Sequence, residues 1–132
     1  MSVNAGAYIL VVDDNADNLY VLTHLLTRRG YSVRGVGDGP SALAAVEEDL
    51  PALVLLDIRL PGFSGYQVVA ALRLRPGFGE TPVIAVTAHA MAGDREAALA
   101  AGCNDYMTKP IDPHELVTLV ERFLGPAPAG RS

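Results

Sequence analysis

Asp13 and Asp14 sit side by side in "YILVVDDNADN" (residues 8–18), directly behind a run of apolar residues. Two carboxylates about 4 Å apart repel by about 4 kcal/mol at an effective dielectric of about 20, so the pair demands a positive charge. Asp57 stands behind "LVLL", Thr87 behind "VIAV", and Lys109 within "YMTKP". Singly, each has a plain explanation. An Asp at a strand end caps a turn or helix, a strand Thr is a good β-former, and a Lys before Pro is solvated. Together they form a chemical set. Three carboxylates in one pocket cannot all stay ionised without a cation or a shifted pKa. The ligands are hard oxygens, and neither Cys nor His stands at metal-ligand spacing. This points to Mg2+ held by carboxylates, water and a phosphate oxygen. Lys109 supplies a point charge and Thr87 a hydroxyl, which suit a phosphoryl group carried on one carboxylate as an acyl phosphate.

The elements that must bring these residues together alternate. Apolar, β-rich runs predict strands at Tyr8–Val12, Tyr31–Val36, Leu53–Ile58, Val83–Thr87 and Asn104–Met107. Helical patterns lie between them. Leu19, Leu22 and Leu26 make a stripe that stops at Gly30, after Arg28 and Arg29. Ser41–Glu48, with Pro40 just ahead, Gly65–Arg75 and the Ala-rich Ala90–Ala101 predict three more helices. "DPHE" at 112–115 joins an Asp cap, a Pro at the first helical position and a Glu three residues after the cap. It opens a last helix carrying Leu116, Leu119, Val120 and Phe123. Five β-then-α units in about 120 residues imply an α/β fold, a doubly wound parallel sheet with helices on both faces. Right-handed crossovers favour the strand order 2-1-3-4-5. That order sets the carboxyl ends of strands 1 and 3 side by side where the winding reverses, the place where such sheets bind ligands.

The gross composition bounds the function. The chain has 132 residues, enough for one domain with its own core, and half of them are apolar. Residues 1–6 are expected to be an N-terminal extension, 7–125 the domain and the Pro/Gly-rich 126–132 a flexible tail. A net charge of −5 argues against sequence-independent nucleic-acid binding, which needs a basic face. The single cysteine, Cys103, excludes an internal disulfide and fits a reducing cytosol. No apolar run reaches membrane-spanning length and no signal peptide is evident, so a cytoplasmic location is expected.

With these residues placed, the sequence resembles the receiver domain of two-component response regulators over nearly its whole length, about residues 7–124. The matching pieces are "VVDDN" at 11–15, "LLDIRLPGFSG" at 55–65, "AVTAHA" at 85–90 and "AGCNDYMTKP" at 101–110. Their order and spacing make the resemblance specific. Its wording is closest to single-domain regulators of chemotaxis or cell-cycle type and to receivers of hybrid histidine kinases. The resemblance implies a flavodoxin-like (βα)5 fold with Asp57 as phosphoacceptor. It implies that Asp14 ligates Mg2+ directly, Asp13 more loosely, and that the backbone carbonyl of Arg59 completes the protein ligands. Thr87 and Lys109 would contact the phosphoryl oxygens, Tyr106 would be the switch aromatic, and the Lys109–Pro110 bond would be cis. The implied partners are a histidine kinase or histidine phosphotransfer protein and a downstream protein target, with no nucleic acid and no membrane. The chain would act as a monomer or weak dimer, and as no enzyme beyond its own phosphorylation and dephosphorylation. Leu60 stands where the family often has Met, and Arg59 places a long cation two residues after the acceptor.

Other readings fit less well. A haloacid-dehalogenase-like, aspartate-based phosphohydrolase also uses a strand-end Asp, Mg2+ and Lys. Its "DxDxT" spacing is not found at Asp57 or at Asp13–Asp14, and no cap domain is present to close over a substrate. A GTPase would need a G-x-x-x-x-G-K-[ST] loop, which is missing. An electron carrier would need a phosphate cradle where the acids stand, and a scaffold-only receiver would not keep the whole polar set. Among the remaining residues, Cys103 is expected in the core and His24 on a solvated helix face. His114 reads as a first-turn residue rather than a phosphorylatable histidine, and His89, two residues beyond Thr87, is expected near the site. Gly62 and Gly65 are expected to be backbone devices in the loop after Asp57. Val21 and Leu25 are expected to complete the core, with a partner-docking face as the alternative. Output is expected through protein contact.

Overall fold

The apolar, β-rich runs and the helical stripes fold into the elements they predict. The computed structural model describes residues 8–60, 64–88 and 93–125. The chain runs β1 (Ile9–Val12), α1 (Ala16–Arg28), β2 (Val33–Val36), α2 (Gly39–Glu48), β3 (Leu53–Asp57), α3 (Gly65–Arg73), β4 (Val83–Thr87), α4 (Asp94–Ala101), β5 (Asp105–Thr108) and α5 (Pro113–Leu124). All neighbouring strands are parallel, in the order β2-β1-β3-β4-β5.

β1, β3 and β4 are buried at every position, because helices cover both faces of the sheet. Their side chains alternate between two cores. Ile9, Val11, Leu53, Leu55 and Ile84 pack with Leu22 and Leu26 of α1 and Leu116, Leu119 and Val120 of α5. Leu10, Val12, Val54, Leu56 and Ala85 pack with Val46 of α2, Val68, Val69 and Leu72 of α3 and Ala98 of α4. Hydroxyls of two buried tyrosines fasten helix ends to this frame. Tyr8 donates to the carbonyl of Asp49 at 2.6 Å, at the end of α2, and Tyr31 to that of Gly125 at 2.9 Å, at the end of α5. No helix among the described residues is long and apolar enough to cross a membrane.

Several element ends differ from the apolar pattern. β2 begins at Val33, not Tyr31, since the Tyr31 ring turns into the core beneath α1 and α5. α2 begins at Gly39 with Pro40 inside its first turn, where a missing N–H costs nothing, and Asp38 caps it by accepting from Ser41 N. α3 ends at Arg73 rather than Arg75, and β5 runs Asp105–Thr108, one residue later than expected. β3 ends at Asp57 itself. The expected helix start at Ala90, His89, Gly62, the extension 1–6 and the tail 126–132 lie outside the described residues.

Candidate functional site

Strand register assembles the site. Val12 pairs with Leu56, so the next residues, Asp13 and Asp57, leave β1 and β3 at one level. Asp57 pairs with Val86 and Thr87 with Thr108, so Thr87 and Lys109 follow one step on. A one-residue slip in any pair would turn these groups away from each other.

Each buried carboxylate divides its two oxygens in the same way. Asp13 Oδ1 accepts from the Asn15 amide at 2.9 Å, and Asp57 Oδ1 from the Arg59 amide at 2.9 Å. Both are Asx-type turns, formed as the chain leaves the sheet. The other oxygens face Lys109, whose Nζ lies 2.9 Å from Asp13 Oδ2 and 3.1 Å from Asp57 Oδ2. Asp13 and Asp57 are buried, and Asp14 is exposed beside them. Burial pushes the Asp57 carboxyl above its usual range and Asp13 adds to this, while the Arg59 amide and Lys109 pull the other way. Burial would depress the Lys109 ammonium, but its hydrogen bonds to Asp13 and Asp57 outweigh that and hold its pKa above the usual value. The Lys109 amide donates to the Thr87 carbonyl at 2.7 Å, and the Lys109–Pro110 peptide bond is cis.

A metal fits this donor set. One oxygen from each of Asp13, Asp14 and Asp57 lies within 4.8 Å of the others. Three carboxylates against one ammonium leave two negative charges when all are ionised, matching a divalent cation. All the donors are hard oxygens, which suits Mg2+. The exposed side of Asp14 gives entry from solvent.

Gly65 fixes the loop between Asp57 and α3. A Cβ there would lie 2.6 Å from Ile58 Cα and 2.8 Å from the Asp57 carbonyl oxygen, so only glycine lets α3 start so close to the strand end. Ser64 then caps α3 in a capping box with Gln67. Thr87 is buried at the end of β4. Tyr106 is half-buried against the α2–α3–α4 core, and burial together with Asp94 and Tyr66 raises its phenol pKa.

The remaining expectations divide. Cys103 is buried, its thiol pushed up to about 11 by burial, which makes it an inert core residue. His24 is exposed and stacks on Tyr20 with ring centroids 5.6 Å apart, and His114 is exposed on α5. Val21 departs from the core expectation: it is 52% exposed, while Leu25 is half-buried. The stripe through Leu22 and Leu26 faces the sheet, and Val21 falls just outside it. Among the sequence signals, the Asn15 and Arg59 amides did not stand out as partners of the two buried carboxylates. The Asp-x-Asn and Asp-x-Arg spacing was the available signal, since an Asp bonds to the amide two residues on.

The chain is similar to known proteins. The family profile for the response regulator receiver domain matches residues 9–121. An uncharacterised 14.6 kDa protein of Leptolyngbya boryana is 40% identical over 123 residues, which cover 93% of this chain and 94% of that one. The response regulator PleD of Caulobacter vibrioides is 43% identical over 107 residues, 81% of this chain but only 24% of PleD. The chain thus spans nearly all of the first relative and about a quarter of the second. The receiver domain of a Pseudomonas aeruginosa sensor histidine kinase, solved with magnesium coordinated in its active-site cleft, superposes with a TM-score of 0.83 at 39% identity. That match covers 91% of this chain and 98% of that one.

Proposed function

The chain belongs to the response regulator receiver family of two-component signalling, and on that premise we propose that it takes a phosphoryl group onto Asp57 and signals by contact with other proteins. The family's role is signalling rather than turnover of a substrate, its members bind Mg2+ in an acidic pocket, and they interact with histidine kinases and downstream effectors. The observation that carries the proposal for this chain is the shared Lys109 ammonium, which holds Asp13 and Asp57 at the junction of β1 and β3.

An Asp57 oxygen attacks phosphorus, the bond from phosphorus to the donor histidine nitrogen breaks, and the imidazole leaves with its electron pair. Mg2+ bound by Asp13, Asp14, Asp57 and the Arg59 carbonyl would neutralise charge on the phosphoryl oxygens. Lys109 moves its point charge from the free Asp57 oxygen to a phosphoryl oxygen, keeping Asp13 as its second partner. The Thr87 hydroxyl donates to another phosphoryl oxygen, and Tyr106 refills the space as Thr87 shifts. The donor is a histidine kinase or a histidine phosphotransfer protein. Tyr20 and Val21, exposed on α1 just beyond Asp14, offer apolar surface to a protein that approaches the site. A cytoplasmic location, and action as a monomer or weak dimer, follow from the same reading.

Acetyl phosphate with Mg2+ tests the assignment by intact-protein mass. Wild type should gain one phosphate and Asp57→Asn none; full labelling of the variant at another residue would defeat it.

A further inference from the structure

Arg73, the last residue of α3, uses every N–H it has. A guanidinium offers five donors in a fixed fork. Here Nε and Nη2 both donate to the Gly102 carbonyl, at 3.3 and 2.7 Å, and Nη2 also donates to Asn104 Oδ1 at 2.8 Å. Nη1 donates to the carbonyls of Thr81 at 2.7 Å and Gly79 at 3.2 Å. The guanidinium lies over the ring of the buried Phe78, 5.4 Å from its centroid. None of these acceptors is a carboxylate. The arrangement holds backbone in place rather than balancing a charge.

The acceptors mark the far end of one element. Gly102 is the left-handed C-cap of α4, and its amide bonds back to the Ala98 and Leu99 carbonyls. Asn104 leads into β5, and its side-chain oxygen also accepts from the Val83 amide at 2.8 Å. The Asn104 amide returns a bond to the Val83 carbonyl at 2.7 Å. One side chain of α3 therefore ties together the end of α4, the entry of β5 and, through Asn104, the start of β4. The opposite end of α4 lies at the sheet edge that carries Asp57, and it is held differently. α1, α2, α3 and α5 begin at the side-chain caps Asn15, Asp38, Ser64 and Asp112, whereas among the described residues α4 begins at Gly93 with no side-chain cap. Of its eight residues only Ala98, in the second half, is buried.

We propose that Arg73 is the pin on which α4 turns, fixing Gly102–Asn104 so that the response to charge at Asp57 is confined to the half of α4 nearest the site. This rests on the switch reading given above. Arg73 touches neither the phosphoryl group nor the metal site; it is a positioning residue acting through backbone.

Amide exchange and chemical shifts by NMR test the pin, with and without BeF3− in Mg2+ buffer, where BeF3− on Asp57 stands in for the phosphoryl group. In wild type, BeF3− should move Asp94–Ala97 and Tyr106 and leave Gly102, Cys103 and Asn104 in place. In Arg73→Met and Arg73→Lys alike, the response should spread to Gly102–Asn104. Even without BeF3−, exchange there should rise about tenfold or more, as hydrogen bonds that hold a local segment are lost. Lysine keeps the charge but not the fork, so an Arg73→Lys variant that behaves as wild type would overturn the proposal. An equal rise at Leu22 and Leu26 would show a general loss of stability and would also overturn it. The wild-type profile decides even where a variant fails to fold: a response as large at Gly102–Asn104 as at Asp94–Ala97 defeats the pin alone. No response in α4 or at Tyr106, with BeF3− bound, defeats the switch reading and the pin with it.

Discussion

Asp57 is the residue whose environment works against its own charge. Its folded pKa is raised, chiefly by burial, so folding favours the protonated form. The stability this contributes is complete below the ordinary carboxylate range, near pH 4, and is lost as pH rises through the raised value. Asp57→Asn removes that loss, while Lys109 keeps Asp13 at 2.9 Å. In metal-free buffer the variant should therefore be more stable than wild type at pH 7, with the gap closing toward pH 4. Urea unfolding across that pH range measures it, and a variant less stable than wild type at pH 7 would contradict the account. Lys109→Met has the opposite effect, leaving Asp13 and Asp57 buried without their shared cation. It should cost about 3 kcal/mol in EDTA and regain more stability from Mg2+ than wild type does. Equal Mg2+ responses in the two proteins would count against charge balance at the site.

At the scale of elements, close approach of backbone decides where the site can form. Gly65 has no need of unusual dihedral angles; it is required because Ile58 Cα and the Asp57 carbonyl leave no room for a Cβ. The atoms in the way are backbone and cannot rotate aside. Gly65→Ala should destabilise by about 2 kcal/mol, as overpacking does, and should slow labelling of Asp57, whose own backbone must move. Gly79→Ala is the matched control, since nothing lies within 4 Å of its added Cβ. It should change stability by less than about 0.5 kcal/mol, the usual range for a surface site. Equal effects of the two substitutions would remove steric contact as the cause.

Across the whole molecule, the two apolar cores hold the sheet and the charged site contributes little to closure. Chelation should therefore leave the protein folded. Mg2+ should add stability by mass action alone, about 2.7 kcal/mol at a hundredfold excess over its Kd. Thermal unfolding with EDTA and with graded Mg2+ measures both. Asp14→Ala should abolish most of the Mg2+ increment, and an increment unchanged in that variant would place the metal elsewhere. Among the described residues, α4 buries only Ala98 of its own side chains and starts at Gly93 without a side-chain cap. On the switch reading proposed above, it is the element expected to respond to charge at Asp57.

The alternation of elements was legible in the sequence, the order 2-1-3-4-5 was its leading topology, and the polar set stood out as a candidate site. Apolar periodicity and chain connectivity are written residue by residue, and few topologies satisfy both. Asp13, Asp14, Asp57 and Thr87 were legible because they close apolar runs, and Lys109 because it follows the last predicted strand in "YMTKP". Packing alone set how the two buried aspartates share Lys109, left Val21 exposed and brought Arg73 to Gly102, Asn104, Gly79 and Thr81. Those outcomes depend on strand register and on where carbonyls point after the chain has packed. In the sequence, Arg73 is one basic residue at the end of a helix, and its role comes from partners brought within reach by the fold.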